Sequence, residues 1–199
     1  MNAYDFDKTI YHYDSTITFY LWCLRRYPRI ALKWPRLIKD ALLFRTGRID
    51  KRAFVERFHA YLRNVPDVAG EVERFWDRHM AFMHAWYRRT HRTDDILLSA
   101  SPLFLVEPAA KRLGIHTVFA SPLNPATCRY EGERCHGEGK VRLLRAALPD
   151  IEIDEFYSDS LSDAPMAKIA GKAWLVDGEA LSPWPAQTVS AANERRNNA

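Results

Sequence analysis

Short apolar runs alternate with helical periods along most of the chain. We predict strands at residues 2–6, 96–99, 116–120, 155–158 and 173–176, and helices at residues 102–113, 138–148 and 164–170. Strands and helices that alternate in this way build an open parallel sheet with helices packed against it. The pattern therefore predicts the α/β fold class.

A second pattern fills residues 15–92, the helical insert, where helical periods follow one another without a strand. Four helix breakers punctuate them, namely Pro28, Pro35, Gly47 and Pro66. We therefore predict an all-helical cap of four or five helices, with Asp14 and Asp50 as N-caps. The core then comprises residues 1–14 and 93–182, with a loop or irregular hairpin at 122–135. Residues 183–199 are predicted to be a poorly ordered tail.

Length and composition limit the class of protein. With 199 residues, of which 47% are hydrophobic, the chain can bury one substantial core and carry a smaller module. The N-terminus opens on charged residues, and no stretch of membrane-spanning length lacks charge, so we expect a cytoplasmic protein. The three cysteines are irregularly spaced, with no CxxC pair. This argues against a disulfide framework and against a structural zinc site.

Charge is distributed unevenly. Residues 11–90 carry 16 Lys and Arg against 8 Asp and Glu, a net of +8, whereas the rest of the chain carries 13 against 17, a net of −4. A basic insert beside an acidic core suggests recruitment of an anion, whether a phosphorylated metabolite, an acidic lipid surface or a nucleic acid. We expect no nucleic acid, because no recognition motif is present. The sequence does not define an oligomeric state.

Aromatic residues are interleaved with the basic ones in the insert. They are Phe19, Tyr20, Trp22, Tyr27, Trp34 and Phe44. One interpretation is peripheral contact with an anionic membrane, where Trp, Tyr and Arg side chains lie at the interface. The other, which we favour, is that the aromatic rings form the core of the insert and the basic groups face water.

Polar residues follow the predicted strands at the points where ligands bind in such sheets, beyond the carboxyl ends. Asp5 and Asp7 end the first strand and Ser99 ends the second, while Asp159 and Asp163 follow the fourth. Lys140 begins a helix after a glycine-rich turn, and its ammonium group suits a phosphate. Carboxylates in this arrangement suit Mg²⁺ and phosphoryl chemistry.

These motifs resemble those of the haloacid dehalogenase superfamily. DFDKT at residues 5–9, Ser99 in ILLSASP, Lys140 in GEGKVRLL and YSDSLSDAPM at 157–166 occur in the family's order. The chain is most similar to the phosphoserine phosphatase-like branch, in which a helical cap follows the first motif. The resemblance implies a Rossmann-like three-layer core and an Mg²⁺-dependent phosphomonoesterase that acts on a small phosphorylated metabolite through an aspartyl-phosphate.

The resemblance also implies a role for each residue. Asp5 is the nucleophile, and Asp7 the general acid and base. Mg²⁺ is held by Asp5, the Asp7 carbonyl and Asp159, with Asp163 behind them. Phosphate oxygens are bound by Ser99, Lys140 and the backbone N–H groups of Phe6 and Ala100, and Thr9 supports the loop.

Several alternatives stay open. Asp7 favours a phosphatase over a dehalogenase, whose leaving group needs no proton, and a phosphomutase ranks below hydrolysis. Asp14 is a candidate substrate contact as well as an N-cap. Ser101 is a candidate second phosphate ligand beside Ser99, although we favour a role as N-cap of the helix that follows it. The substrate could instead be a lipid phosphate such as phosphatidylglycerophosphate. The rival from another class is a non-catalytic phosphate- or lipid-binding module.

Overall fold

The computed structural model describes residues 1–185 and contains a six-stranded sheet, which confirms the α/β class. The sheet order is β3-β2-β1-β6-β7-β8, with parallel pairing from β3 through β7 and an antiparallel last strand. Its strands are β1 (Asn2–Tyr4), β2 (Ile96–Pro102), β3 (Thr117–Ser121), β6 (Ile153–Ser158), β7 (Ala170–Asp177) and β8 (Ala180–Pro183). A separate antiparallel hairpin joins β4 (Leu123–Asn124) to β5 (Arg129–Tyr130).

The core helices are α6 (Leu103–Leu113), α7 (Glu138–Ala147) and α8 (Ala164–Ile169). Gly114 ends α6 in the left-handed region at φ 75°, where glycine meets no Cβ penalty. Buried side chains form one hydrophobic cluster on each face of the sheet. The fold is therefore the three-layer arrangement expected from the sequence.

Between β1 and β2 lie five α-helices and three short 3₁₀ turns. The helices are α1 (Ser15–Arg26), α2 (Trp34–Arg45), α3 (Lys51–Phe58), α4 (Val68–His79) and α5 (Ala85–Thr90). Asp14 and Asp50 cap α1 and α3 as predicted, by accepting hydrogen bonds from Ile17 N and Ala53 N. None of the helices within residues 1–185 is both long and apolar enough to cross a bilayer.

The insert divides into a part that packs on the sheet and a part that projects from it. Trp76 of α4 donates a hydrogen bond to the Leu105 carbonyl of α6, at 2.7 Å. Trp86 of α5 lies against Tyr4 and Tyr157 of the sheet. Helices α4 and α5 are thus continuous with the core, whereas α2 and α3 extend over the carboxyl ends of the strands and contribute to the cleft described below.

Several strand bounds differ from the sequence prediction: β2 extends to Pro102, β6 begins at Ile153 and β7 begins at Ala170. The first strand stops at Tyr4 rather than residue 6, because Lys8 adopts φ 58° and the chain turns back on itself, with Tyr11 N donating to Phe6 O. The predicted tail begins too early: Pro183 pairs with Trp174, and Trp184 packs on Phe156. The remainder of that predicted tail, residues 186–199, lies outside the described residues.

Candidate active site

Asp5 meets Lys140 and Asp163 inside the protein, beyond the end of β1. Lys140 Nζ lies 2.5 Å from Asp5 Oδ1 and 2.6 Å from Asp163 Oδ2. Ser158 also donates to Asp163, at 2.8 Å. Parallel strands place these residues together, since β1 and β6 are neighbours and α7 leads into β6. Asp163 therefore holds Lys140 beside Asp5.

The buried charges perturb one another. Burial raises the pKa of the Asp5 carboxyl to about 7, although the Lys140 ammonium group opposes the increase. Burial also works to lower the pKa of Lys140, but Asp5 and Asp163 outweigh it and raise that pKa above its usual range. Lys140 therefore stays cationic, as a group that binds an anion must.

Asp7 has its own hydrogen-bond partners. Its Oδ1 accepts the N–H of Ser15 at 2.7 Å, and its Oδ2 accepts the hydroxyl of Ser101. Burial and the nearby Asp14 raise the pKa of Asp7 to about 6, against the hydrogen bonds from Ser101 and Ser15. A carboxyl group with this pKa exchanges protons readily near neutral pH.

The second motif lies beside the cleft, at the end of β2. Ser99 is fully buried, and its Oγ accepts the N–H of Ser101 at 3.1 Å. Ala100 and Ser101 line the cleft. The predicted helix-capping role of Ser101 is wrong, because α6 begins after Pro102 without a side-chain cap. Ser99 and Ser101 are two residues apart, and side chains at that spacing in an extended segment lie on the same side. This spacing favours the other role considered for Ser101, beside Ser99 in binding phosphate.

Asp159 lies across the cleft, where the loop after β6 meets the loop after β1. Thr9 Oγ1 accepts the N–H of Asp159 at 3.0 Å, so Thr9 ties the two loops together. Burial raises the pKa of the Asp159 carboxyl group, although the nearby Lys8 opposes the increase. The structure thereby brings Asp5, Asp7 and Asp159 to one opening.

These residues fit a magnesium ion. Oxygen donors from Asp5, Asp159 and the Asp7 backbone are the hard ligands that Mg²⁺ prefers, with water filling other positions. Within residues 1–185, no three His, Cys, Asp or Glu side chains form a metal site unaided. A site of two carboxylates and one carbonyl is compatible with that finding, because only two of its ligands are side chains.

The cleft has a volume of about 490 Å³ and two kinds of wall. One wall is polar and contains the carboxylates together with Lys140. The other is apolar and comes from the insert, through Ile17, Leu37, Ala41, Phe54, Val55 and Phe58. Asp14 lines the cleft as well as capping α1, so the structure allows both roles considered for it. Sequence reasoning missed the cleft residues Arg134 and His136.

Comparison with known proteins decides the family. A family model for haloacid dehalogenase-like hydrolases matches residues 3–168. The chain belongs to this family. The match confirms the resemblance inferred from the four motifs.

Individual relatives of this haloacid dehalogenase-like hydrolase are more distant. A probable phosphatase of Mycobacterium tuberculosis is 34% identical over 91 residues, which cover 42% of this chain and 32% of the relative. The match thus spans about a third of the relative's length.

Among solved structures, a Bordetella pertussis protein of unknown function has a TM-score of 0.70 at 18% identity, covering 99% of this chain and 95% of its own. A probable phosphoserine phosphatase from Vibrio cholerae has a TM-score of 0.60 at 13% identity, covering 86% and 55%. A phosphoserine phosphohydrolase-like protein from Francisella tularensis has a TM-score of 0.52 at 15% identity, and the match covers 87% of this chain and 86% of that protein. These likenesses show a shared fold.

The raised carboxyl pKa values predict pH-dependent metal binding. A Mg²⁺ ion bound at Asp5 would displace the proton of its carboxyl group, so the apparent affinity for Mg²⁺ should be about thirtyfold weaker at pH 5.5 than at pH 8 for a pKa of about 7. Thermal melts across a MgCl₂ titration at both pH values measure this. Asp159→Asn should reduce the stabilisation by Mg²⁺, and NaCl at equal ionic strength is the control. An equal Mg²⁺ affinity at both pH values would contradict the prediction.

Proposed function

We propose that the protein is an Mg²⁺-dependent phosphomonoesterase that hydrolyses a small phosphorylated metabolite through an aspartyl-phosphate. The observation that carries the proposal is the buried Asp5–Lys140–Asp163 cluster beside a separately hydrogen-bonded Asp7. Two carboxyl groups in different environments can divide nucleophilic and proton-transfer roles between them. The family and the phosphatase relative are consistent with this chemistry.

The first half-reaction transfers the phosphoryl group to the protein. An Asp5 oxygen attacks phosphorus, the bond from phosphorus to the ester oxygen breaks, and Asp7 gives its proton to that oxygen. Ser99, Lys140 and the N–H groups of Phe6 and Ala100 bind the phosphate oxygens and compensate their charge. Mg²⁺, held by Asp5, Asp159 and the Asp7 carbonyl, would further neutralise the negative charge of the phosphate oxygens.

The second half-reaction returns Asp5 to its free state. Asp7, now ionised, takes a proton from a water molecule, which attacks the phosphorus of the aspartyl-phosphate. The bond between phosphorus and Asp5 breaks, and inorganic phosphate leaves. The raised pKa of Asp7 suits a group that both gives and takes a proton during one cycle.

The direct test is hydrolysis of p-nitrophenyl phosphate by the wild-type protein with Mg²⁺. We expect phosphate release that stops on addition of EDTA, and an acid-stable, hydroxylamine-labile phosphoprotein after rapid quenching. A non-catalytic binding module would release no phosphate. A phosphomutase would transfer the group to an acceptor alcohol in preference to water.

A lipid phosphate is a second candidate substrate, and one observation favours it. The exposed apolar stripe of α2 consists of Trp34, Ile38 and Leu42, whose residues are 49%, 62% and 58% exposed. Successive members are four residues apart and so share one helix face. Exposed basic residues accompany them, including Arg36, Lys39 and Arg45. An apolar stripe with basic neighbours suits an anionic bilayer surface.

The aromatic residues of the insert divide between the two interpretations made from the sequence, because some are buried and others are exposed. Phe19 and Tyr20 are buried and Trp22 and Tyr27 are half-buried, as a packed interior requires. Trp34 and Phe44 are exposed, and Trp34 donates its indole N–H to Tyr20 at 2.7 Å. Contact with a membrane therefore rests on the apolar stripe rather than on the aromatic residues as a group.

Liposome flotation tests the membrane contact. At low salt, the wild-type protein should float with vesicles containing anionic phosphatidylglycerol and not with neutral phosphatidylcholine vesicles. The double variant Ile38→Ser/Leu42→Ser should lose most of this binding, because it removes apolar area that enters the interface. Leu181→Ser, at a 39% exposed residue of β8, is the matched control. Absence of flotation at low salt would rule the contact out.

A further inference from the structure

Three basic side chains meet at the mouth of the cleft, where the insert approaches the core. Lys51 begins α3, whereas Arg134 and His136 lie in the segment between β5 and α7. Lys51 Nζ is 3.3 Å from His136 Nε2, and Arg134 and His136 both line the cleft. We call these three residues the cation cluster.

The described part of the chain gives the cation cluster no carboxylate partner. Within residues 1–185, no member of the cluster forms an ion pair, and the buried Nε of Arg134 has no hydrogen-bond partner. Neighbouring arginines differ, since Arg52 pairs with Glu56 and Arg142 pairs with Glu133. Burial lowers the pKa of His136, and Lys51 and Arg134 lower it further. The charge of the cluster is therefore carried by Lys51 and Arg134, while His136 lies within hydrogen-bond distance of Lys51. Two cationic groups without a carboxylate partner favour binding of an anion.

Arg134 is held in a fixed place relative to the catalytic lysine. A Cβ on Gly139 would lie 2.3 Å from the Arg134 carbonyl oxygen, so only glycine allows the first turn of α7 to pack on the Arg134 backbone. The next residue in that helix is Lys140. On its other side, the Arg134 guanidinium lies 5.5 Å from the centre of the Tyr130 ring.

We propose that the cation cluster binds a second anionic group of the substrate, a carboxylate or a phosphodiester, while the phosphate monoester lies at Asp5. This inference rests on the proposed function and narrows its substrate class. Lys140 already serves the reacting phosphate, and it has two carboxylate partners, whereas the cluster has none in the described chain. Because Lys51 belongs to the insert, a second anion would also bridge the insert and the core.

Binding of matched probes to the Asp5→Asn protein tests the inference without turnover. 3-Phosphoglycerate and glycerol 3-phosphate share a three-carbon skeleton and differ by a carboxylate in place of a hydroxymethyl group. Deacylated phosphatidylglycerophosphate supplies a phosphodiester instead. By calorimetry with Mg²⁺, we expect at least one of the two probes with a second anion to bind about tenfold or more tightly than glycerol 3-phosphate.

Variants on the Asp5→Asn background locate the preference. Arg134→Gln and Lys51→Gln should each bring the ratio of affinities, preferred probe over glycerol 3-phosphate, close to one. Lys51 is exposed, so its substitution is not expected to cause misfolding. Lys111→Gln removes the same charge from a 70% exposed side chain on α6 and should leave the ratio unchanged. Equal affinity for all three probes, or a preference that survives both substitutions, would overturn the inference.

The binding test of the cation cluster and the hydrolysis test of the proposed function can fail independently. If the wild-type protein fails to hydrolyse p-nitrophenyl phosphate, the proposed chemistry fails, and the binding ratio still decides the anion site. Inorganic phosphate is a further probe: if Arg134→Gln weakens its binding as much as that of the preferred probe, the cluster serves the phosphate itself and the inference is wrong.

Discussion

Replacing Asp5 by Asn should lower kcat for p-nitrophenyl phosphate by at least about 10⁴-fold, as loss of a nucleophile does in other covalent mechanisms. The amide has nearly the same shape but cannot accept the phosphoryl group as a carboxylate does. Phosphate release from purified Asp5→Asn protein, compared with wild type at saturating Mg²⁺, measures the loss. The hydroxylamine-labile phosphoprotein should disappear in the same variant.

The fold should survive this substitution. Lys140 keeps Asp163 as a partner at 2.6 Å, so its ammonium group is not left buried and unpaired. Circular dichroism and the unfolding midpoint establish that the variant is folded. Asp150→Asn, at an exposed position, is the matched control and should retain wild-type activity. Full activity in folded Asp5→Asn protein would exclude the aspartyl-phosphate mechanism.

The parallel core was predictable because its signals are local. Each buried strand is a short apolar run, and each chemically active residue follows one, so the edge that gathers Asp5, Asp159 and Asp163 could be identified from spacing alone. Lys140 joined them because α7 begins directly after a glycine-rich turn. The roles of these residues in catalysis remain predictions, which the substitutions test.

The errors arose where tertiary contacts outweigh local pattern. All four residues of β8 are exposed, so the strand has no apolar run that a sequence could reveal, and it forms because β7 offers an edge for pairing. The first strand ends early because Lys8 takes a left-handed conformation, which is uncommon for a non-glycine residue.

The cation cluster and the apolar stripe show two other limits. Lys51 and His136 are 85 residues apart in sequence, and neither belongs to a recognisable motif, so only the folded chain shows that they meet. Ile38 and Leu42 have the spacing of an ordinary buried helix face. Their exposure depends on how α2 sits against α3 and the cleft, and periodicity does not contain that information.

Replacing Asp7 by Asn should have an effect that depends on the leaving group. A general acid contributes about 10²–10⁴-fold, and the contribution is largest where the departing oxygen is most basic. We therefore expect a loss near the upper end of this range for an alkyl phosphate such as glycerol 3-phosphate. The transfer step with p-nitrophenyl phosphate should suffer less, because p-nitrophenolate leaves without a proton.

Burst kinetics distinguish the two half-reactions. With p-nitrophenyl phosphate, Asp7→Asn protein should release about one equivalent of p-nitrophenol rapidly and then turn over slowly, since water lacks its base and the aspartyl-phosphate accumulates. Ser101→Ala is the companion variant: it keeps the carboxyl group and removes one hydrogen bond that lowers its pKa. In the pH profile of kcat for the alkyl ester, the decrease on the alkaline side should occur at higher pH in Ser101→Ala protein than in wild type. Equal losses for both esters in Asp7→Asn protein, with no burst, would show that Asp7 does not transfer the proton.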